Sequence, residues 1–178
     1  MRIIKQGYEI ISLPQELLQT IEAAGRTCYK SEAKITDTSA VNFVETLIKR
    51  GHHAVIEFGD IIVRFITNRG VTHELVRHRM CSFAQESTRY VRYDGNMEFI
   101  EPVWWEKSSG EQQELWKKAM TDAESHYLKL LETGWKAQEA REVLPNSLKT
   151  EIVVKANIRE WRHIFELRCS SGAHPQIR

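Results

Sequence analysis

The chain has 178 residues, 42% of them hydrophobic and 28% charged, with a formal net charge of +1. That length suits one compact domain with a real core, and the near-neutral balance gives no global field directed at nucleic acid or a membrane. Three widely spaced cysteines (Cys28, Cys81 and Cys169), without any CxxC pair, argue against a disulfide framework; with no apolar leader and no run long enough to span a bilayer, a cytoplasmic protein is expected.

Leu13-Pro14 reads as a helix entry, with Leu17, Leu18 and Ile21 on one face. A second helix is expected from Thr38 or Ser39, with Val41, Val44, Leu47 and Ile48 as its apolar stripe and Gly51 as its stop. Glu57 to Thr67 reads as a strand, because Ile61-Ile62-Val63 and Phe65-Ile66 are β-branched and aromatic. A short helix is expected from about Val71 to Arg77, then a polar loop from Arg79 to Tyr90. Val91–Tyr93 and Met97–Ile100 flank Asp94-Gly95-Asn96, a hairpin signal.

Glu111 to about Glu132 carries helical spacing through Leu115, Trp116, Ala119, Met120, Ala123, Tyr127, Leu130 and Leu131, and Gly134 closes it. Lys136 to Val143 is a shorter helix stopped by Pro145. Ser147–Lys155 reads as a strand and Ile158–Leu167 as a helix. Strands and helices do not alternate strictly, so an α+β arrangement is expected in place of a doubly wound parallel sheet. No repeat, low-complexity tract or linker divides the chain.

Chemistry concentrates between Arg64 and Arg92. This stretch carries Arg64, Arg69, Arg77, Arg79, Arg89 and Arg92, no lysine, and only Glu74 and Glu86 as acids. A guanidinium fork suits bidentate contact with phosphate, where an ammonium is a point charge. With Ser82, Gln85 and Ser87 as further donors, the loop could hold a nucleotide monophosphate; a solvated arginine-rich turn reads the same residues equally well. His73-Glu74 opens like a zinc HExxH motif, but the next histidine is His78, five residues on and roughly 140° round a helix. No Cys/His set has zinc spacing, so no metal is expected, and GxGxxG, Walker A and GxSxG patterns are all missing. Cys81 could be activated by Arg77 and Arg79, although an inert small residue is the simpler reading.

Arg77-His78-Arg79, seven residues, then Ser87 resembles the signature of the flavin-dependent thymidylate synthases, within RHRMCSFAQESTRY. Gly51-His52 with Glu57 resembles that family's upstream GHxxxxE element. Arg141-Glu142-Val143-Leu144-Pro145, Asn157 to His163, Leu167-Arg168 and Ala173-His174-Pro175-Gln176 resemble its later blocks in order. The resemblance implies one α+β domain over residues 1–178, with a central, mainly antiparallel sheet flanked by helices. It implies reductive methylation of dUMP to dTMP, with FAD as hydride carrier, NADPH as reductant and 5,10-methylenetetrahydrofolate as carbon donor, and no cysteine nucleophile. It further implies a homotetramer whose sites are shared between subunits, with no nucleic-acid or membrane partner.

The residue roles are implied in the same way. Glu74, Arg77, Glu86, Ser87, Arg89, Arg141 and Arg168 would bind dUMP, with Arg89 and Arg141 at the phosphate. Arg168 would also be catalytic, favouring ionisation at N3 of the uracil. His52, Arg77, His78, Arg79, Gln85, Asn157, Arg159 and His163 would contact FAD, Gln85 from a neighbouring subunit. Read without the family, Asn157 is a helix N-cap and Arg159 an exposed charge. Ala54, Phe58 and Ala84 depart from the family's usual Ser or Thr, His and Asn, and family members usually continue beyond Arg178 with more helix. Two other readings remain. Arg89-Tyr90-Val91-Arg92-Tyr93 interleaves cations and aromatics as single-strand binders do, and an inactive relative would bind nucleotide without turnover.

Overall fold

The computed structural model describes residues 1–178. The strongest strand signal, Ile61-Ile62-Val63, lies in β3 (Asp60–Asn68), a middle strand of a four-stranded antiparallel sheet. On one side β3 pairs with β6 (Lys149–Asn157), in unbroken register from Asp60 opposite Asn157 to Asn68 opposite Lys149. On its other side lies β2 (Gly7–Ser12), with a bulge between Ile10 and Ser12. β4 (Ser82–Gln85) completes the sheet against β6.

Residues directly opposite across a ladder share a face. One face therefore carries Val63, Phe65, Ile152, Val154, Ala156 and Phe83. It is covered by α3 (Arg69–Leu75), through Val71 and Leu75, and by α6 (Ile158–Arg168), through Trp161 and Ile164. The alternation of buried Thr150, Ile152, Val154 and Ala156 along β6 is the period-two pattern of a strand with one covered face. α6 begins where β6 ends, and the Asn157 side chain makes the turn by accepting the Glu160 backbone N–H at 2.9 Å. Asn68 does the same between β3 and α3, accepting from Val71 at 2.9 Å.

Two smaller clusters flank the sheet. α1 (Leu17–Tyr29) and α2 (Ser39–Lys49) bury Ile21, Val44 and Leu47 against Ile56. They approach closely because position 25 is glycine: a Cβ there would lie 2.5 Å from the Phe43 ring. α4 (Gly110–Glu132) starts at a capping box between Ser109 and Gln112, and Gly134 past its end has a φ of +100°. Its Met120, Tyr127 and Leu131 pack on Phe99 of β5 (Glu98–Ile100), on Leu148, and on Ala140 of α5 (Ala137–Ala140). No helix is long and apolar enough to cross a membrane.

The α+β arrangement with a central antiparallel sheet is as expected, and four local readings are corrected. Residues 82–85 form an edge strand and not loop, because Phe83 and Gln85 point to the covered face while β6 supplies the hydrogen bonds. The hairpin around Asp94-Gly95-Asn96 does not form. Gly95 and Asn96 do take positive φ, of 107° and 52°, but β5 pairs in parallel with β1 (Arg2–Ile4). The Tyr93 ring turns inward, edge-on to Tyr127. In α2 the stripe is Ala40, Val44 and Leu47, leaving Val41 53% exposed. Lastly, Val55–Phe58 is a 3₁₀ turn, so the strand starts at Asp60 and not at Glu57.

Candidate functional site

α3, the turn after it and α6 bring Glu74, His78 and Arg168 together. Arg168 donates from Nε to His78 Nε2 at 3.0 Å, from Nη1 to Glu74 Oε2 at 2.8 Å and from Nη2 to the Glu74 carbonyl at 2.9 Å. On its other side the buried His78 ring places Nδ1 3.4 Å from Oε1 of buried Glu160. Burial, and then the Arg168 charge, hold the His78 imidazole below its ordinary value; Glu160 pulls the other way and does not prevail. His78 is therefore neutral at pH 7.

The His163 ring stands edge-on to His78 at 5.7 Å and opens onto a cleft of about 850 Å³. Asn157, Arg159 and His163 line it together with His53, Met80 and Arg162. Arg159 is paired with Glu57 at 2.6 Å, while Arg162 has no ion pair. The cap role read for Asn157 from its residue type is observed, and the same side chain also lines the cleft. Cys81, close to Glu160, has its thiol pushed up to about 11 by burial and then by that carboxylate, so it is a poor nucleophile at neutral pH.

A second cluster forms where β4 leaves the sheet. Ser87 Oγ accepts the Arg89 backbone N–H at 3.3 Å, and Arg89 Nε donates to Gln138 at 3.2 Å. Gln138 and Arg141 are three residues apart on adjoining helical turns, so they share a face. Ser87, Arg89 and Arg141 thus gather on one side, with both guanidinium groups exposed. No hydrogen bond or ion pair joins this cluster to Arg168.

The sequence profile of the family described as "Thymidylate synthase complementing protein" matches residues 9–178. A flavin-dependent thymidylate synthase of Geobacter sulfurreducens is 33% identical over 166 residues, 89% of this chain and 71% of that protein. One from Pyrococcus furiosus is 31% identical over 179 residues, 95% of this chain and 73% of that protein. This chain belongs to the flavin-dependent thymidylate synthase family, a family of enzymes. The crystal structure of a UMP/dUMP methylase, PolB from Streptomyces cacaoi, bound with 5-Br dUMP, shares the fold. Its TM-score is 0.81 at 24% identity, over 99% of this chain and 86% of that one.

Within this flavin-dependent thymidylate synthase family member, the remaining signature residues are spread around the two clusters. Arg77 donates to the His73 carbonyl and is otherwise exposed, as is Arg79. Gln85 is turned onto the covered face of the sheet, where its amide nitrogen reaches Thr72 Oγ1 at 2.9 Å and Thr150 Oγ1 at 3.3 Å. Glu86 accepts from the Tyr93 hydroxyl at 2.6 Å and from Lys149 at 3.3 Å. Burial and that bond push the Tyr93 phenol far up, and its ring packs edge-on against Tyr127. His52 lies outside the cleft, its Nδ1 2.6 Å from the Tyr29 hydroxyl and its ring stacked on Tyr29.

The sequence reading passed over two residues. Glu57, quoted only as part of a motif, holds Arg159. Glu160 lies inside the Asn157 to His163 block and was given no role of its own. The one signal that could have singled it out is its i+3 spacing from the capping Asn157, which points it back toward the strand end.

Proposed function

We propose that the chain is a thymidylate synthase that methylates dUMP to dTMP, with FAD, NADPH and 5,10-methylenetetrahydrofolate as its cofactor and co-substrates. One observation carries this reading. The cleft lined by Asn157, Arg159 and His163 connects through the His78 ring to the fixed cation of Arg168. The residues fit a flavin dinucleotide: the volume is of the right order for a large ligand, Arg159 and Arg162 offer charge to a diphosphate, and Ile56, Met80 and Phe165 offer apolar surface to rings. The bound flavin would supply hydride chemistry that no side chain here can.

The chain's own residues have the other tasks. Arg168, held in one geometry by Glu74 and His78, is placed to stabilise negative charge developing on a uracil ring. Ser87, Arg89 and Arg141 form the phosphate end of a dUMP site. Arg89 and Arg141 are exposed and without buried acid partners, so they can turn to a phosphate at small cost. The Ser87–Arg89–Arg141 cluster has no bond to Arg168, which supports sites completed between the subunits of a homotetramer. The exposed Tyr8, Ile10 and Leu13 around β2 and Met80 at the cleft mouth give such an assembly apolar surface to bury.

The test is a spectrum followed by turnover. Protein incubated with FAD and desalted should keep a flavin band that shifts when dUMP is added. The complete mixture should then form dTMP, and omission of any one component should stop it. Retention of both ligands without dTMP would make the chain an inactive relative and overturn the proposal.

A further inference from the structure

Four side chains run in one hydrogen-bonded line from the cleft to Glu74, and one of them has no role so far. Glu160 lines the cleft and is 8% exposed. Its backbone N–H is held by Asn157 at 2.9 Å, which fixes where its side chain starts. Its Oε1 faces His78 Nδ1 at 3.4 Å, and His78 Nε2 in turn receives Arg168 Nε–H at 3.0 Å.

The direction of each bond in this line is forced. An arginine Nε is always protonated and can only donate. His78 Nε2 must therefore be the unprotonated ring nitrogen, and the single proton of the neutral ring sits on Nδ1. A carboxylate can only accept, so Glu160 is the partner that this proton requires. The opposite tautomer would set an N–H on Nε2 against the Arg168 N–H and leave Nδ1 without a donor for Glu160. It would lose both bonds at once, inside a buried site where unmet polar groups are costly.

We propose that Glu160 is a positioning residue of the reaction. It holds His78 in the Nδ1–H tautomer, so that Nε2 receives and orients the Arg168 guanidinium. The inference rests on the reading above that Arg168 serves the dUMP site. Glu74 fixes the far end of the fork through Nη1 and Nη2, and His78 fixes the near end at Nε; only the near end depends on Glu160. The carboxylate thus acts at second hand, as outer partners of histidine ligands do in metal sites, by setting which ring nitrogen is free.

The experiment compares Glu160→Gln and Glu160→Leu in the flavin-loaded protein, with selectively ¹⁵N-labelled histidine. Glutamine keeps an acceptor oxygen for Nδ1–H, whereas leucine keeps the bulk and offers no acceptor. Wild type and Glu160→Gln should both show His78 with Nδ1 protonated and Nε2 bare, and should differ in kcat by less than about threefold. Glu160→Leu should lose that signature and, with one charge-assisted bond forfeited, should lower kcat about 10- to 100-fold while still folding and assembling, at a somewhat lower Tm. Wild-type turnover by Glu160→Leu, an Nε2–H signature in the wild type, or equal loss in Glu160→Gln and Glu160→Leu would each overturn the proposal. Should the leucine variant not fold, the wild-type signature and the activity of Glu160→Gln still decide it. An Nε2–H signature in a wild type that makes dTMP would remove this proposal and leave the thymidylate synthase reading standing.

Discussion

Replacing Arg168 by alanine tests the centre of the site on two independent scales. The change removes three hydrogen bonds, two of them to the Glu74 side chain and carbonyl and one to His78. It leaves the Glu74 carboxylate and His78 Nε2 without partners. A bond to a charged group contributes about 1.5–3 kcal/mol when well buried. The Arg168 and Glu74 side chains are 20% and 31% exposed, however, so water replaces part of what is lost. A net destabilisation of about 2–4 kcal/mol follows, which for a chain of this length lowers Tm by roughly 5–15 °C. Loss of a preorganised charge at the reacting centre lowers kcat by about 10²- to 10³-fold beyond that. Arg168→Lys restores the charge but not the fork, and should recover stability more than turnover. The assays are thermal unfolding at fixed protein concentration and dTMP formation at saturating dUMP. Near-normal dTMP formation by Arg168→Ala refutes the role assigned to the cation, and an unchanged Tm refutes the network around it.

Asn157→Ala removes the cap of α6 and should cost about 1 kcal/mol in urea unfolding; if the side chain also serves the cleft, flavin retention falls further than in an equally destabilised variant elsewhere. Gly25→Ala drives a methyl into the Phe43 ring and should destabilise by about 1–3 kcal/mol, read from the same unfolding curves, with no effect on ligand affinity once folded. The raised Cys81 thiol favours the neutral form in the folded state, so its contribution to stability is complete below pH 9.0 and is lost as the pH rises from 9.0 through about 11. At pH 8, mass spectrometry after brief iodoacetamide treatment should find exposed Cys28 and Cys169 alkylated and Cys81 intact.

Helices with a sustained period and clear stops were readable from the sequence: α4 shows its spacing over six turns and its stop at Gly134, although Leu115, read into the apolar stripe, is 62% exposed. β3 and β6 were readable because one face of each is apolar at period two. β4 was not. Ser-Phe-Ala-Gln has no strand character of its own, and the neighbouring strand lies some seventy residues downstream. β1 and β2 were not read as strands either, although Ile3-Ile4 and Tyr8, Ile10 and Ile11 have strand character, because their partners lie far along the chain; in the rejected hairpin, good turn residues were outvoted by the burial of Tyr93. In the site, the resemblance assigned His78 to FAD and Arg168 to the uracil ring, and the structure bonds the two side chains to each other at 3.0 Å. The resemblance could not show that the His78 ring has both nitrogens occupied by protein, because Glu160 and Arg168 come from a different helix. It also could not show that Gln85 faces the sheet interior, because that depends on the β4 register.

The long β3–β6 ladder has a consequence for how the chain reaches this state. Residue 60 has to wait for residue 157, and residue 2 for residue 98, before their backbone groups find partners. A chain emerging from the ribosome would hold β3 with only the β2 side of its ladder filled until most of the protein had been made. The cover provided by α6 arrives later still, because that helix follows β6 directly. Contacts between such distant segments are slow to form. The early half of the chain therefore exposes Ile61, Val63 and Phe65 for most of synthesis, and its partly made state is the form most in need of a chaperone. The Arg168–His78 contact joins segments ninety positions apart, so this cluster cannot form until α6 has been made.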